Sequence, residues 1–391
     1  MISKRTHYLL RIAILTLMYF CAGCSSKILI DDAKYESTSY PMFGNSSERN
    51  FYIPKIIGDS LKLRWTSEVH GSFNNTSVTV FQDYIFVPDL SGRVYAFNIE
   101  SGKELGQVKY KGAIRSAPVV NHLKIIIPVL EAREPKTVLY NYDFQQGKEI
   151  SEIAVDGNIK TDMVRVGDEV LFVTEQGKAY RFHSNTSKIW EFNSKVYIHS
   201  IPVLSSGAFV FGNDKGEVIS INAQDGSLNY RKKIGSTFEC GFTGSGNNLF
   251  CADNMGTVYS LDKNSGEIIW KYETGYKITL TPVFDKDYIY VGNLRGDIYK
   301  LEKSTGKFVW KIQTDGVIDT TPLLFEDYLL QPDLNKKLYF VDIKSGTIKK
   351  TIDFENRAKL SPVYYKDKII LGIDNGEVKV YDIVQPQTGL K

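Results

Sequence analysis

The residue types that most often do chemistry are sparse in this 391-residue chain. Its five histidines (His7, His70, His122, His183 and His199) show no spacing that would bring two imidazoles to one metal. No nucleophile stands beside a legible base. Short Asp/Asn-x-Gly clusters could be taken for calcium loops, but each falls at the same hairpin position, where the turn itself asks for glycine. Cys240 and Cys251 bracket the turn Gly244-Ser-Gly-Asn-Asn248. They read either as a disulfide across that hairpin in an oxidising compartment or as two small buried apolar side chains. No two cysteines are adjacent. These residues therefore supply no catalytic, metal or cofactor site.

The other two cysteines belong to the amino terminus. Lys4, Arg5 and Arg11 accompany an apolar run, Ile12 to Ala22, that is too short to span a bilayer as a helix. The run ends in Cys21-Ala-Gly-Cys24, which resembles a bacterial lipobox at Ala22 and Gly23, with Cys21 where a leucine is usual. The resemblance implies cleavage after Gly23 and lipidation of Cys24, and Ser25 in place of an aspartate implies outer-membrane sorting. An ordinary cleaved signal peptide is the other reading. The three basic residues of this leader account for the whole formal charge of +3. The mature chain is neutral, so no electrostatic case for nucleic acid survives.

The elements that must position any site are set by a repeat. Gly256-Thr-Val-Tyr-Ser-Leu-Asp262 runs on to Ser265-Gly266 and Trp270, and Gly296-Asp-Ile-Tyr-Lys-Leu-Glu302 runs on to Thr305-Gly306 and Trp310, a period of 40. Eight copies are visible, each alternating apolar and polar residues as a half-buried strand does. A second apolar run ending in a turn signal precedes each copy, as at Ala208–Asp214, Asp287–Asn293 and Lys368–Gly376, and Asn-Gly or Asp-x-Gly between such runs indicates a tight hairpin. Another strand carries Pro118, Pro202, Pro282, Pro322 or Pro362, which confines it to a sheet edge. Four short antiparallel strands in about 40 residues, eight times over, predict an all-β, eight-bladed propeller. The last copy lacks an outer strand, and Leu61-Lys-Leu-Arg-Trp65 reads as that strand, supplied from the other end of the domain. The expected organisation is a signal peptide at 1–23, a lipidated tether at 24–60, the propeller at 61–384 and a tail at 385–391. Two aromatic stretches of the tether, Tyr40–Asn45 and Arg49–Tyr52, are expected to dock on the flank near blade eight.

The Gly-x-Val-Tyr-Ala/Ser-Leu-Asp phrase with its following Ser/Thr-Gly and Trp resembles the pyrroloquinoline-quinone-like propeller repeat, over roughly residues 40–384. One branch of that superfamily, the quinone-dependent dehydrogenases, clamps its cofactor between a tryptophan and a ring of two adjacent cysteines. This chain has no such pair. The other branch is the propeller lipoproteins of the outer-membrane β-barrel assembly machinery, similar in length, lipobox and blade number. This second resemblance implies a monomeric, non-enzymatic periplasmic scaffold without a cofactor. Its partner would be a protein of the cell envelope, the barrel insertase. A ligand- or cofactor-binding propeller serving a periplasmic redox enzyme is the alternative.

In that lipoprotein family a Leu-Arg stretch entering blade four and acidic residues entering blade five meet the partner. Here Ser194-Lys-Val-Tyr-Ile-His-Ser200 lacks the Leu-Arg pair, and Glu239 is the one acidic residue entering blade five. Tyr197, His199 and Glu239 are the candidate contacts on those approaches. The blade-two hairpin Glu131-Ala-Arg-Glu-Pro-Lys136 breaks the period. It is either a tolerated insertion or a contact loop, with Arg133 and Glu134 as its specificity residues.

Overall fold

The alternating phrases fold as strands, and the strands as eight blades. The computed structural model describes residues 27–34, 39–185 and 187–384. Cys24, its leader and the 385–391 tail lie outside these residues. Blade one comprises Thr79–Phe81, Tyr84–Pro88, Arg93–Asn98 and Glu104–Lys109, running from the channel outwards. Blade five, Thr243–Ser245, Asn248–Ala252, Thr257–Asp262 and Ile268–Glu273, is typical of the rest. Its middle two strands are almost wholly buried, whereas its outer strand is largely exposed apart from Trp270. Pro118, Pro202, Pro282 and Pro322 stand directly before the innermost strand and Pro362 within it, at an edge of the sheet where a missing N–H breaks no ladder.

Between the third and fourth strands a register shift recurs at one place, for example at Ser260/Leu261 and Lys300/Leu301. Such bulges bend the strand and re-aim a side chain. Here they stand beside the tryptophan position, and the tryptophans reach the next blade. Trp270 donates from Nε1 to Lys303 O at 2.9 Å, Trp310 to Ile343 O at 3.2 Å, and Trp190 to Ala223 O at 2.9 Å. Each ring lies on the glycine of the neighbouring turn. A Cβ at Gly306 would sit 2.5 Å from the Trp270 ring, and φ there is +71°, so only glycine fits.

Ring closure follows the sequence expectation. Leu61–Glu68 pairs antiparallel with Glu377–Ile383 and completes blade eight. Trp65 then donates to Ile99 O at 2.8 Å and ties blade eight to blade one. The edge of Glu377–Ile383 is thereby paired rather than left open.

The aromatic stretches before this strand lie elsewhere than expected. Instead of resting on the flank by blade eight, residues 39–55 run round the channel and touch all eight blades in order. Tyr40 pairs with Val80 of blade one, and Pro41 O accepts from Val120 of blade two. Arg165 N of blade three approaches Met42 Sδ. Ser47 O and Glu48 O accept from Leu204 and Gly244 of blades four and five. Asn50 bonds Phe284 of blade six, Phe51 and Ile53 bond Leu324 of blade seven, and Lys55 pairs with Asp367 of blade eight. The innermost strands have unused backbone groups at this face, and the segment satisfies them.

Of the two readings of Cys240 and Cys251, the structure has the buried free thiols and not the disulfide across the hairpin. Thr243 pairs with Phe250, so continuing that register sets Cys251 opposite Phe242, two residues away from Cys240. Cys240 Sγ instead packs against the Ala252 backbone, accepting from its N–H at 2.9 Å and donating to its carbonyl at 2.7 Å. Burial pushes the Cys240 thiol up to about 12 and raises Cys251 well above its ordinary value.

Candidate functional site

The ring segment floors the central channel. Arg49 is fully buried there and donates from Nε to Pro202 O (2.5 Å), from Nη1 to Phe43 O (2.8 Å) and from Nη2 to Asp162 O (2.6 Å) and Met163 O (3.1 Å). A planar guanidinium can serve several carbonyls at once, which an ammonium cannot. Burial pulls its pKa down to about 10, against the pull of Asp162. The Asp162 carboxylate accepts from Thr76 Oγ1 (2.5 Å) and Ala117 N (2.6 Å). Burial raises its pKa, with Arg49 and these hydrogen bonds opposing. Above this floor a polar cavity of about 200 Å³ is lined by Phe43 and by residues entering seven of the eight blades, among them Lys160, His199, Glu239 and Asp319.

The cavity opens on the face carrying the inter-blade loops and the hairpins between second and third strands. The two are tied together blade by blade: Asp214 N to Tyr197 O, Asn254 N to Thr237 O, Leu294 N to Lys277 O and Leu334 N to Val317 O, all at 2.9–3.0 Å. His199 sits at this mouth between Asp214 (Nδ1–Oδ1 2.8 Å) and Glu175 (Nε2–Oε1 3.2 Å). Burial alone would lower its pKa, but the two carboxylates outweigh it and raise it. Glu175 feels the reverse: burial pushes its carboxyl up, yet Lys160, Asn158 and His199 hold it below the ordinary value.

Of the residues singled out in the sequence, Tyr197 and His199 come together, their rings parallel at 6.5 Å. Glu239 lines the same mouth and pairs with Lys277 at 2.6 Å. Arg133 and Glu134 are exposed on blade two, in a hairpin closed by Glu131 N to Lys136 O, away from that cluster. The sequence reading missed an apolar arc on the same face. Tyr197 (56% exposed), Met255 (66%), Tyr276 (45%) and Val317 (38%) all project from blades four to seven. Arg295 lies over the Tyr276 ring at 4.8 Å and donates to its hydroxyl at 3.0 Å. On blades eight, one, two and three this face shows no exposed large apolar side chain among the described residues. One signal was available: Tyr197 and Val317 are 120 residues, three periods, apart.

The channel does not fit a planar quinone held as in the dehydrogenase branch. All four tryptophans are spent on inter-blade docking, the two cysteines are not adjacent, and the floor is filled by Phe43 and Arg49. Among the described residues no group of His, Cys, Asp or Glu is placed to hold a metal ion.

Comparison with known proteins agrees with this architecture. The chain is 26% identical over 188 residues to a polyvinylalcohol dehydrogenase of Sphingopyxis sp. (strain 113P3), a match covering 46% of this chain and 24% of that protein. It thus spans about a quarter of that relative's length. BamB from Moraxella catarrhalis superposes with a TM-score of 0.71 at 15% identity, over 83% of this chain and all of that one. A europium-containing methanol dehydrogenase superposes at 0.72 and 11% identity, over 89% and 98%. The computationally designed Ika8 protein gives 0.72 at 13%, over 82% and 100%. At these identities the superpositions establish the fold. The family profile described as outer membrane protein assembly factor BamB (PQQ_2) matches residues 128–239, 179–280 and 254–389, together well over half of the sequence, and to that family the chain belongs.

Proposed function

We propose that this chain is a non-catalytic, lipid-anchored scaffold on the periplasmic face of the outer membrane, serving outer-membrane protein assembly by holding a protein partner. The observation that carries the reading is the apolar arc of Tyr197, Met255, Tyr276 and Val317, confined to one half of the channel face. Exposed apolar side chains clustered within a polar rim are what a protein interface offers. Arg295 on Tyr276 adds two of the side-chain types that dominate interface energetics. Membership of a family described as an outer membrane protein assembly factor supports the process, and the occupied tryptophans and floored channel support the absence of catalysis.

The test is co-purification from detergent-solubilised envelope with wild-type protein and with a Met255→Glu/Tyr276→Glu double variant. Loss of one envelope protein from the variant, with an unchanged melting temperature, is expected. An identical partner list would contradict the interface. A small polar ligand in the channel is the second reading, favoured by Thr161 Oγ1, Thr279 Oγ1 and Asp319 Oδ1, which are buried without a hydrogen-bond partner among the described residues. Under that reading the double variant changes nothing.

A further inference from the structure

From the chain path between Cys24 and blade two we infer that the outer rim of blades one and two is a membrane-binding surface. It would lie against the anionic headgroups of the bilayer that holds this protein's own acyl chains. The inference rests on the proposal that Cys24 is the lipid anchor, and adds how the propeller stands on the membrane.

A long tether would leave the propeller free of the bilayer, but the chain is docked almost from the anchor onward. Ile28, Ile30 and Ala33 are buried in one cluster with Phe81, Phe86 and Phe144. Ile30 N donates to Phe144 O at 2.8 Å, Tyr142 Oη to Ile28 O at 2.8 Å, and Gln145 Nε2 to Ala33 O at 3.1 Å. Cys24 precedes Lys27 by three residues. At 3.3–3.6 Å per residue the covalent chain cannot reach beyond about 11 Å, so the headgroup region comes within that distance of Lys27.

The surface at this point has matching chemistry. Lys27, Lys109 and Lys148 line one open hollow with Tyr110, against the carboxylate of Glu149 in it and that of Glu152 beside it. Lys27 and Lys148 have no ion-pair partner among the described residues. Leu29, between buried neighbours, is itself 54% exposed and lies against Gly147, which lines the same hollow. Lysines flanking an exposed apolar side chain and a tyrosine suit a headgroup layer. The arc of blades four to seven then faces away from the anchored rim and stays open to a partner.

The experiment uses the full-length protein in phosphatidylethanolamine–phosphatidylglycerol vesicles containing a headgroup-labelled quencher lipid. Intact mass first establishes whether Cys24 carries the acyl chains; an unacylated mature chain would overturn the anchor reading itself. A fluorophore is placed on Lys148→Cys or, across the ring on blade six, on Phe308→Cys; Cys240 and Cys251 are buried and will not label. Several-fold stronger quenching at 148 than at 308 is expected. A Gly-Ser spacer of about twenty residues inserted after Ser26, roughly 25 Å in r.m.s. length, should make the difference salt-sensitive, because only the lysines then hold the rim down. Equal quenching at the two sites in acylated protein would overturn the inference.

Discussion

Arg49 carries a full charge into the centre of the ring, where burial works against it and four carbonyls work for it. Arg49→Met keeps the bulk but strands those carbonyls and leaves Asp162 without its nearest cation. Chemical denaturation should show a loss of about 3–5 kcal/mol, as for other broken buried charge networks. Arg49→Lys should not restore it, since one ammonium lacks the fork; full rescue by lysine would show that charge alone suffices. At the mouth, His199 binds its proton more tightly in the folded state than in the unfolded one. The resulting stability is complete below the unfolded value, about 6.5, and is lost as pH rises through the elevated folded value. The melting-temperature difference between wild type and His199→Gln should therefore be largest in acid buffer and shrink as pH rises. A difference independent of pH would mean that His199 acts through packing only.

The inter-blade joint is the element on which the ring depends, and its smallest part is a glycine. Gly306→Ala meets both the Trp270 ring and a φ of +71°, so it should cost about 1–3 kcal/mol by urea unfolding. Gly207 has φ +82° with nothing within 4 Å, and Gly207→Ala should cost less. Equal losses would show that backbone strain, not tryptophan docking, sets the requirement. These joints were legible in the sequence because tryptophan and glycine return with the period. The channel floor was not. Its contacts come one or two per blade, some from the backbone of residues 39–55 and some from the unlike side chains of Met42, Arg49, Asn50 and Lys55, which leaves no periodic trace. Of the two readings of Cys240 and Cys251, the buried pair of small side chains holds and the disulfide does not, since their places on either side of a turn do not reveal a two-residue offset in register. The arc was half visible, through Tyr197, but Met255 and Tyr276 lie at loop positions whose exposure only the assembled face displays.

The whole molecule is a ring sealed twice by the segment that precedes the repeats. Leu61–Glu68 closes blade eight at the rim, and residues 39–55 close the channel at its centre. The four tryptophans are committed to holding blades together and the floor is filled, and the apolar half of the open channel face, on blades four to seven, is the surface proposed for the protein partner. Site-specific photo-cross-linking in living cells tests this most directly, with the photoreactive residue at Tyr276 or Met255 and, for comparison, at Phe308 on the outer edge of blade six. The expected result is an adduct with one envelope protein from Tyr276 and Met255 and none from Phe308. Adducts from Phe308 alone, or none from the channel face, would contradict a scaffold that binds its partner there.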